Sequence, residues 1–299
     1  VSQNRGEIAP YTPVLKGSYM TLESITGKNY ISHSAMSTWL SCGWQYYLTR
    51  IKQVPESPSY WFAGGSAVHQ ATEIYDALPP ESNFDPTEVF ISQWEKNYKE
   101  ADNGRPWRSG GRATKTYPNK EDASWWLANG PDMVDYWIQF RKNSGYQLYL
   151  LPDGTPAIET ELNQTVGGVP MKAFLDRLMV APTGELVIVD IKTGSKEPAG
   201  QTQLGIYAIL VEKTLGIRPS LGAYFMARTG ELTQPVNLDR YTEARLASWA
   251  KGFELAIENK IFIPSVGFMC GTCSVNHACY AVGGKDSNLY PEITIGEPK

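Results

Sequence analysis

The chain contains only four cysteines, unevenly placed: Cys42 stands alone near the beginning, while Cys270, Cys273 and Cys279 form a C-x2-C-x5-C run near the end. If the four act together, the first and last parts of the chain must meet in space, so the site would close the fold like a clasp. Two disulfides would require an oxidising compartment and would suit a small scaffold. The chain has 299 residues, and Val1 to Lys16 is polar and proline-punctuated rather than a basic start followed by an apolar core. Four converging thiolates could instead hold a tetrahedral zinc, with His277 inside the loop able to replace one cysteine, or an iron–sulfur cluster. The spacing alone does not choose between these.

With 42% hydrophobic residues the chain has material for a substantial core, and no run approaches the ~20 apolar residues of a membrane-spanning helix. The formal net charge is -4, so no global basic field drives it onto nucleic acid. A nuclease is still compatible, because a metal-holding enzyme concentrates carboxylates and a local groove can carry the strand.

Along the chain, residues 1–30 read as irregular, interrupted by Pro10, Pro13, Gly17 and Gly27. A helix is expected from Ser34 or Ser37 through Tyr47, with Cys42 on it, and a second after Gly64-Gly65, carrying His69 and Glu73. Segments 86–101 and 121–143 have helical amphipathicity, and between them lies a basic, Gly-rich stretch, Gly104 to Lys120. Strands follow at 157–166, 169–180 and 185–193, then a helix at 198–215, a strand at 221–228 and a helix at 242–260. This order predicts a mixed α/β core.

One hairpin brings chemistry together. If Pro182-Thr183-Gly184 is a three-residue loop with Gly184 in the left-handed position, Ala181 pairs with Glu185 and Asp176 sits directly opposite Asp190. Strand alternation then projects Asp190 and Lys192 onto one face beside Asp176. Burying such charges is costly unless they pair or bind a metal. An Asp–Lys salt bridge at a strand end would also account for them, as would a structural role for His69, Gln203 and Tyr207 taken singly.

The pieces occur in a telling order: Gly65-Ser66-Ala67-Val68-His69, Phe174-Leu175-Asp176-Arg177-Leu178, Val189-Asp190-Ile191-Lys192-Thr193-Gly194 and Gln203-Leu204-Gly205-Ile206-Tyr207. Together they resemble the RecB-type branch of the PD-(D/E)xK nucleases. The cysteine layout resembles its iron–sulfur members, the CRISPR-associated RecB-like exonucleases and the nuclease domain of AddB. The match runs from about Ser32 to Tyr280, and residues 78–156 depart from it.

The resemblance implies a restriction-endonuclease-like core, with a mixed central β-sheet flanked by helices and a helical iron–sulfur-clasped region joining the two ends. The division it suggests is one nuclease domain over 1–299, with a catalytic sheet at 157–228, a clasp from 32–53 and 262–282, and a helical insertion at 78–156. Position by position it implies that His69, Asp176, Asp190 and the Ile191 carbonyl bind Mg²⁺ or Mn²⁺, and that Lys192 is the motif lysine. Gln203 and Tyr207, four apart on a helix, would face the site. Cys42, Cys270, Cys273 and Cys279 would hold a [4Fe-4S] cluster. Glu73, one turn after His69, is a candidate to hold its imidazole, and Glu161 is a further acid that could point inward.

The implied activity is hydrolysis of DNA from single-stranded ends. A 5′→3′ direction is favoured, although no residue encodes it. Recombination, repair, phage replication or CRISPR spacer processing, in the cytoplasm of a bacterial, archaeal or phage-infected cell, is the implied setting. No membrane is expected, and homo-oligomers or recombination and CRISPR partner proteins are compatible. A catalytically silent DNA-binding or assembly module, and a redox or zinc protein centred on the cysteines, are the competing readings.

Overall fold

The computed structural model describes residues 21–79 and 82–291, so the Val1–Lys16 stretch lies outside the described residues. The described chain opens with a short helix, α1 (Leu22–Thr26), where an irregular segment is expected. Thr21 caps its first turn, and Gly27 ends it in the left-handed conformation, so the glycine that interrupts the pattern is a helix stop. After β1 (Ile31–Ser32) comes α2 (His33–Ser41), capped by Ser32 rather than by Ser34 or Ser37.

Cys42 is not within a helix. It ends α2 in an extended conformation and caps α3 (Gly43–Tyr46), which runs on into a wide turn at Tyr47–Ile51. Residue 43 must be glycine here, because a Cβ would lie 2.8 Å from the Ile263 nitrogen, so helix continuity yields to contact with the C-terminal segment.

Three long helices follow: α4 (Tyr60–Ala77), α5 (Pro86–Ala101) and α6 (Ala123–Asn143). Asp85 accepts from the Thr87 and Glu88 amides ahead of Pro86, and Asp122 does the same for Ser124 and Trp125. The rest of the chain is β2 (Gln147–Leu148), β3 (Ile158–Val166), β4 (Val169–Val180), β5 (Leu186–Lys192), α7 (Thr202–Leu215), β6 (Leu221–Met226), β7 (Glu231–Leu232), β8 (Val236–Asn237) and α8 (Glu243–Glu258). The two-residue strands β1, β2, β7 and β8 are too short for an alternation pattern to reveal.

The strands form one mixed sheet. Its spine runs β1-β4-β5-β6-β7, with β2 and β3 also on β4 and β8 on β6. β3, β4 and β5 pair antiparallel, whereas β5 and β6 pair parallel through the α7 crossover. On one face Leu178, Ile188 and Tyr224 pack against α7 and α8 residues such as Ala208, Val211 and Phe253. On the other, Val187, Val189 and Phe225 meet Val68, Phe90, Trp126 and Trp137 of α4, α5 and α6. The protein is thus a mixed α/β fold with a central mixed sheet flanked by helices.

Strand alternation fails at one place. Met171, Ala173 and Leu175 of β4 belong to the first core, yet so does Leu178, while Met179 belongs to the second. The inversion falls at Asp176, and its β3 neighbour Glu159 has a φ of 43°, unusual for a non-glycine residue. Backbone strain of this kind clusters at functional sites. No described helix is long and apolar enough to cross a membrane.

Candidate active site

The turn between β4 and β5 sets the site. Ala181 N–H donates to Glu185 O at 2.9 Å, and Gly184 has a φ of 95°, as a three-residue loop requires. The register pairs Arg177 with Val189 and Leu178 with Ile188, and continuing it by one step sets Asp176 against Asp190. On the other side of β4, Ile158 pairs with Arg177 and Thr160 with Leu175, so Glu159 is set against Asp176. Three neighbouring strands therefore each contribute one acid to a single row.

His69 on α4 joins this row. Its Nδ1 lies 3.4 Å from Asp176 Oδ2 and 3.9 Å from Glu159 Oε1. His69, Glu159 and Asp176 offer donor atoms all within 4.8 Å of one another. Asp176 Oδ2 also accepts the Ile191 amide at 2.9 Å, which ties β4 to β5 through a side chain.

Asp190 is only 1% exposed, and neither of its carboxylate oxygens has a hydrogen-bond partner. The Lys192 ammonium lies 2.6 Å from Oδ2 as an ion pair, which leaves Oδ1 as the oxygen with no partner of either kind. Burial, and then the Asp176 charge, push the Asp190 carboxyl up to about 7 against the pull of Lys192. Burial alone would lower the His69 pKa, but Asp176, Glu159 and Asp190 outweigh it and the net shift is upward.

From Asp190 a polar chain runs outward. Lys192 Nζ donates to Gln203 Oε1 at 2.9 Å, and Gln203 Nε2 donates to the Tyr207 hydroxyl at 2.8 Å. Gln203 and Tyr207 thus meet the site from α7 on the face that their spacing predicts. Burial, followed by the Asp190 and Asp176 charges, raises the Tyr207 pKa and keeps its phenol protonated.

Neighbouring residues correct several expectations. Glu161 pairs instead with Lys172 at 2.9 Å, and Glu159 is the β3 acid that faces inward. A signal for this was present, because Val166 pairs with Val169 across Gly167-Gly168, and counting back from that turn reaches Glu159 opposite Asp176. Glu73 makes no hydrogen bond to His69; burial and the Glu159 charge raise its pKa. Arg177 is fully buried, a role its place in a strand does not signal. Its Nε lies 2.7 Å from Asp76 Oδ2, and it donates to Asp176 O at 2.7 Å and to Thr72 Oγ1 at 3.3 Å, which fixes the strand to α4. Asp76 also accepts from Arg141 Nε and Trp137 Nε1, each at 2.9 Å. His33 is a further neighbour, with a pKa lowered to about 4 by burial and the Lys192 charge.

The donors fit an oxygen-preferring divalent cation. Two carboxylates, Glu159 and Asp176, converge with the His69 imidazole, while Asp190 stands outside that set on the neighbouring strand, with Oδ2 paired to Lys192 and a buried Oδ1 without a partner, a costly state that a cation would relieve.

The cysteine region also has a definite geometry. Cys42 Sγ accepts from Gln45 N and Ser265 N, both at 3.4 Å, and Cys270 Sγ accepts from Gly267 N at 3.4 Å and approaches Ser265 O at 3.9 Å. Burial raises the Cys273 and Cys279 thiols; backbone amides at Val275, Ala281 and Val282 oppose this, and the charges of the other cysteines add to it. The cysteine charges thus act on one another and each sulfur meets at least one amide, but the four do not converge tightly: the His, Cys, Asp and Glu group able to hold a metal ion among the described residues is His69, Glu159 and Asp176. His277 keeps both ring nitrogens buried and without a hydrogen-bond partner. In the basic stretch, Arg108 lies over Trp61 at 4.7 Å and donates to Ser57 O and Thr272 O, so this cation anchors the loop to the cysteine region.

The model of the PD-(D/E)XK nuclease superfamily matches residues 30–280. The Gene 69 protein of Mycobacterium phage D29 is 27% identical over 272 residues, covering 83% of this chain and 95% of its own. The Gene 69 protein of Mycobacterium phage L5 is 27% identical over 292 residues with the same coverage of each chain, 83% and 95%. Among solved structures, a provisional exonuclease of Eubacterium rectale covers 89% of this chain and 94% of its own at 14% identity, a distant likeness with a TM-score of 0.48.

Proposed function

The chain belongs to the PD-(D/E)XK nuclease superfamily, and on that premise we propose that it is a divalent-metal-dependent deoxyribonuclease that acts as an exonuclease on single-stranded DNA ends. The observation that carries the reading is Asp190, buried with Oδ1 unpartnered and Oδ2 met by Lys192, in a carboxylate row with Asp176 and Glu159. A structural salt bridge would not need His69 and Glu159 to converge on Asp176 as well.

In this reading His69, Asp176 and Asp190 hold Mg²⁺ or Mn²⁺, with the Ile191 carbonyl as a further ligand and Glu159 added to the set. The cation supplies Lewis acidity at the phosphodiester. Lys192 is held between Asp190 and Gln203, where its ammonium positions a water and offsets charge developing on the phosphate. Tyr207 holds Gln203, and through it the lysine, in one rotamer.

The four cysteines are proposed to bind a structural [4Fe-4S] cluster. The support is the charge coupling of Cys273 and Cys279 to the other cysteines and the backbone amides that meet the sulfurs, which offset part of the burial that raises these two thiols. The division into a clasp at 32–53 and 262–282, a catalytic sheet at 157–228 and a helical insertion at 78–156, within one domain, belongs to the same proposal. The mycobacteriophage relatives favour a setting inside a phage-infected bacterial cell. A 5′→3′ direction and association with further copies or recombination proteins are the finest parts of the reading.

The deciding experiment incubates anaerobically purified protein with end-labelled linear and closed circular single-stranded DNA in Mg²⁺ or Mn²⁺, alongside Lys192→Ala. Metal-dependent loss of the linear strand by the wild type alone, with the circle spared, is the expected result. A folded wild type that leaves both substrates intact would refute the enzyme and favour a silent DNA-binding module.

A further inference from the structure

A cleft of about 330 Å³ opens beside the active site, and Gln203 and Tyr207 line it together with Lys28, Tyr30, His33, Lys172 and Phe174. Gln203 is the residue that receives Lys192, so the cleft begins where the polar chain from Asp190 ends. The pairing of β1 with β4 builds it: Ile31 lies against Met171 and Ser32 against Lys172, which brings Tyr30 beside that strand.

Cations and rings are interleaved along it. Lys28 Nζ lies 5.5 Å from the centre of the Tyr30 ring, Lys172 Nζ lies 5.7 Å from the same ring, and Lys172 Nζ lies 5.1 Å from the centre of the Phe174 ring. Phe174 is 49% exposed on a polar rim, away from both cores. Lys172 has one competing partner, Glu161 at 2.9 Å, but that acid is half-exposed and such a pair contributes little to stability. A phosphate can therefore exchange for it.

We propose that this cleft seats the unpaired nucleotides adjoining the scissile phosphate, with bases stacked on Phe174 and Tyr30 and phosphates on Lys172 and Lys28. Stacking on these rings requires bases that are free of a duplex, so the proposed ligand is single-stranded nucleic acid. The inference rests on the nuclease reading and deepens it, because it assigns the substrate a path that the motif residues do not define.

The test measures binding rather than turnover. Fluorescence anisotropy follows a labelled oligothymidylate of about 15 nucleotides, with phosphorothioate linkages and divalent ions chelated, against the wild type, Phe174→Ala and Lys172→Gln. Phe174→Ala should weaken binding about tenfold, because stacking on a single ring carries that much. Lys172→Gln should lower the slope of log affinity against log salt by about 0.7, the loss of one phosphate contact. Wild-type melting temperatures in both variants separate these effects from unfolding. If the wild type binds and cleaves single strands while both variants bind as it does, the cleft assignment fails and the nuclease stands. If the wild type neither binds nor cleaves single strands, the functional reading falls and the cleft assignment with it.

Discussion

Replacing Asp190 by Asn should make the protein inactive but, without divalent ions and above neutral pH, more stable relative to the wild type than it is in acid. The carboxyl loses its proton at about 7 in the fold, against a reference value of 3.8. Between those values the native state binds more protons than the unfolded chain, so this group's contribution falls as pH rises through the window. At 1.36 kcal/mol for each tenfold change, the shift costs the fold on the order of 4 kcal/mol at about pH 8, where the buried carboxyl is ionised, and about 1 kcal/mol at about pH 4.5, where it is protonated on folding. Asn carries a buried amide of its own, which costs about 1–3 kcal/mol at every pH, so the quantity to measure is the change with pH. Urea unfolding of both proteins in chelator should show Asp190→Asn gaining about 3 kcal/mol on the wild type between about pH 4.5 and about pH 8. Saturating Mn²⁺ should then raise the melting temperature of the wild type and leave that of the variant nearly unchanged. A stability difference that is flat with pH would refute the claim that Asp190 is a carboxylate held at a cost for a cation.

Three other substitutions test different parts of the structure. Asp76→Ala leaves Arg177 buried without its main counter-charge and should cost about 3–5 kcal/mol, read by urea unfolding at neutral pH. Glu159→Gln removes one of the acids converging with His69 and should weaken the apparent Mn²⁺ affinity of the metal-dependent activity by about tenfold or more, with the melting temperature retained. Cys42→Ala should lower the melting temperature and bleach the visible absorbance of anaerobically purified protein; retention of both would count against the cluster.

Much of the arrangement was legible because it is local. The turn chemistry of Pro182-Thr183-Gly184 fixes the pairing of the strands it joins, and that pairing alone opposes Asp176 and Asp190. Helical spacing places Gln203 and Tyr207 on one face, where Gln203 meets Lys192 and Tyr207 meets Gln203. The α5 boundaries, Pro86–Ala101, coincide with the amphipathic segment because Asp85 and Pro86 mark its start in sequence. The break at Cys42 was hidden, because the apolar period continues through it and only the approach of Ile263 to Gly43 forces the chain to turn.

The amino-acid sequence by itself determines the long strands, the turns that join β3, β4 and β5, and the facing of Asp176 and Asp190 beside Lys192, since these depend on interactions close along the chain. Tertiary structure alone decides that His69 meets Asp176, that Asp76 neutralises Arg177, and that strand alternation inverts beside Glu159. Those contacts join different layers of the fold. Their geometry is set by how the helices pack on the sheet, and no local propensity or spacing encodes that distance.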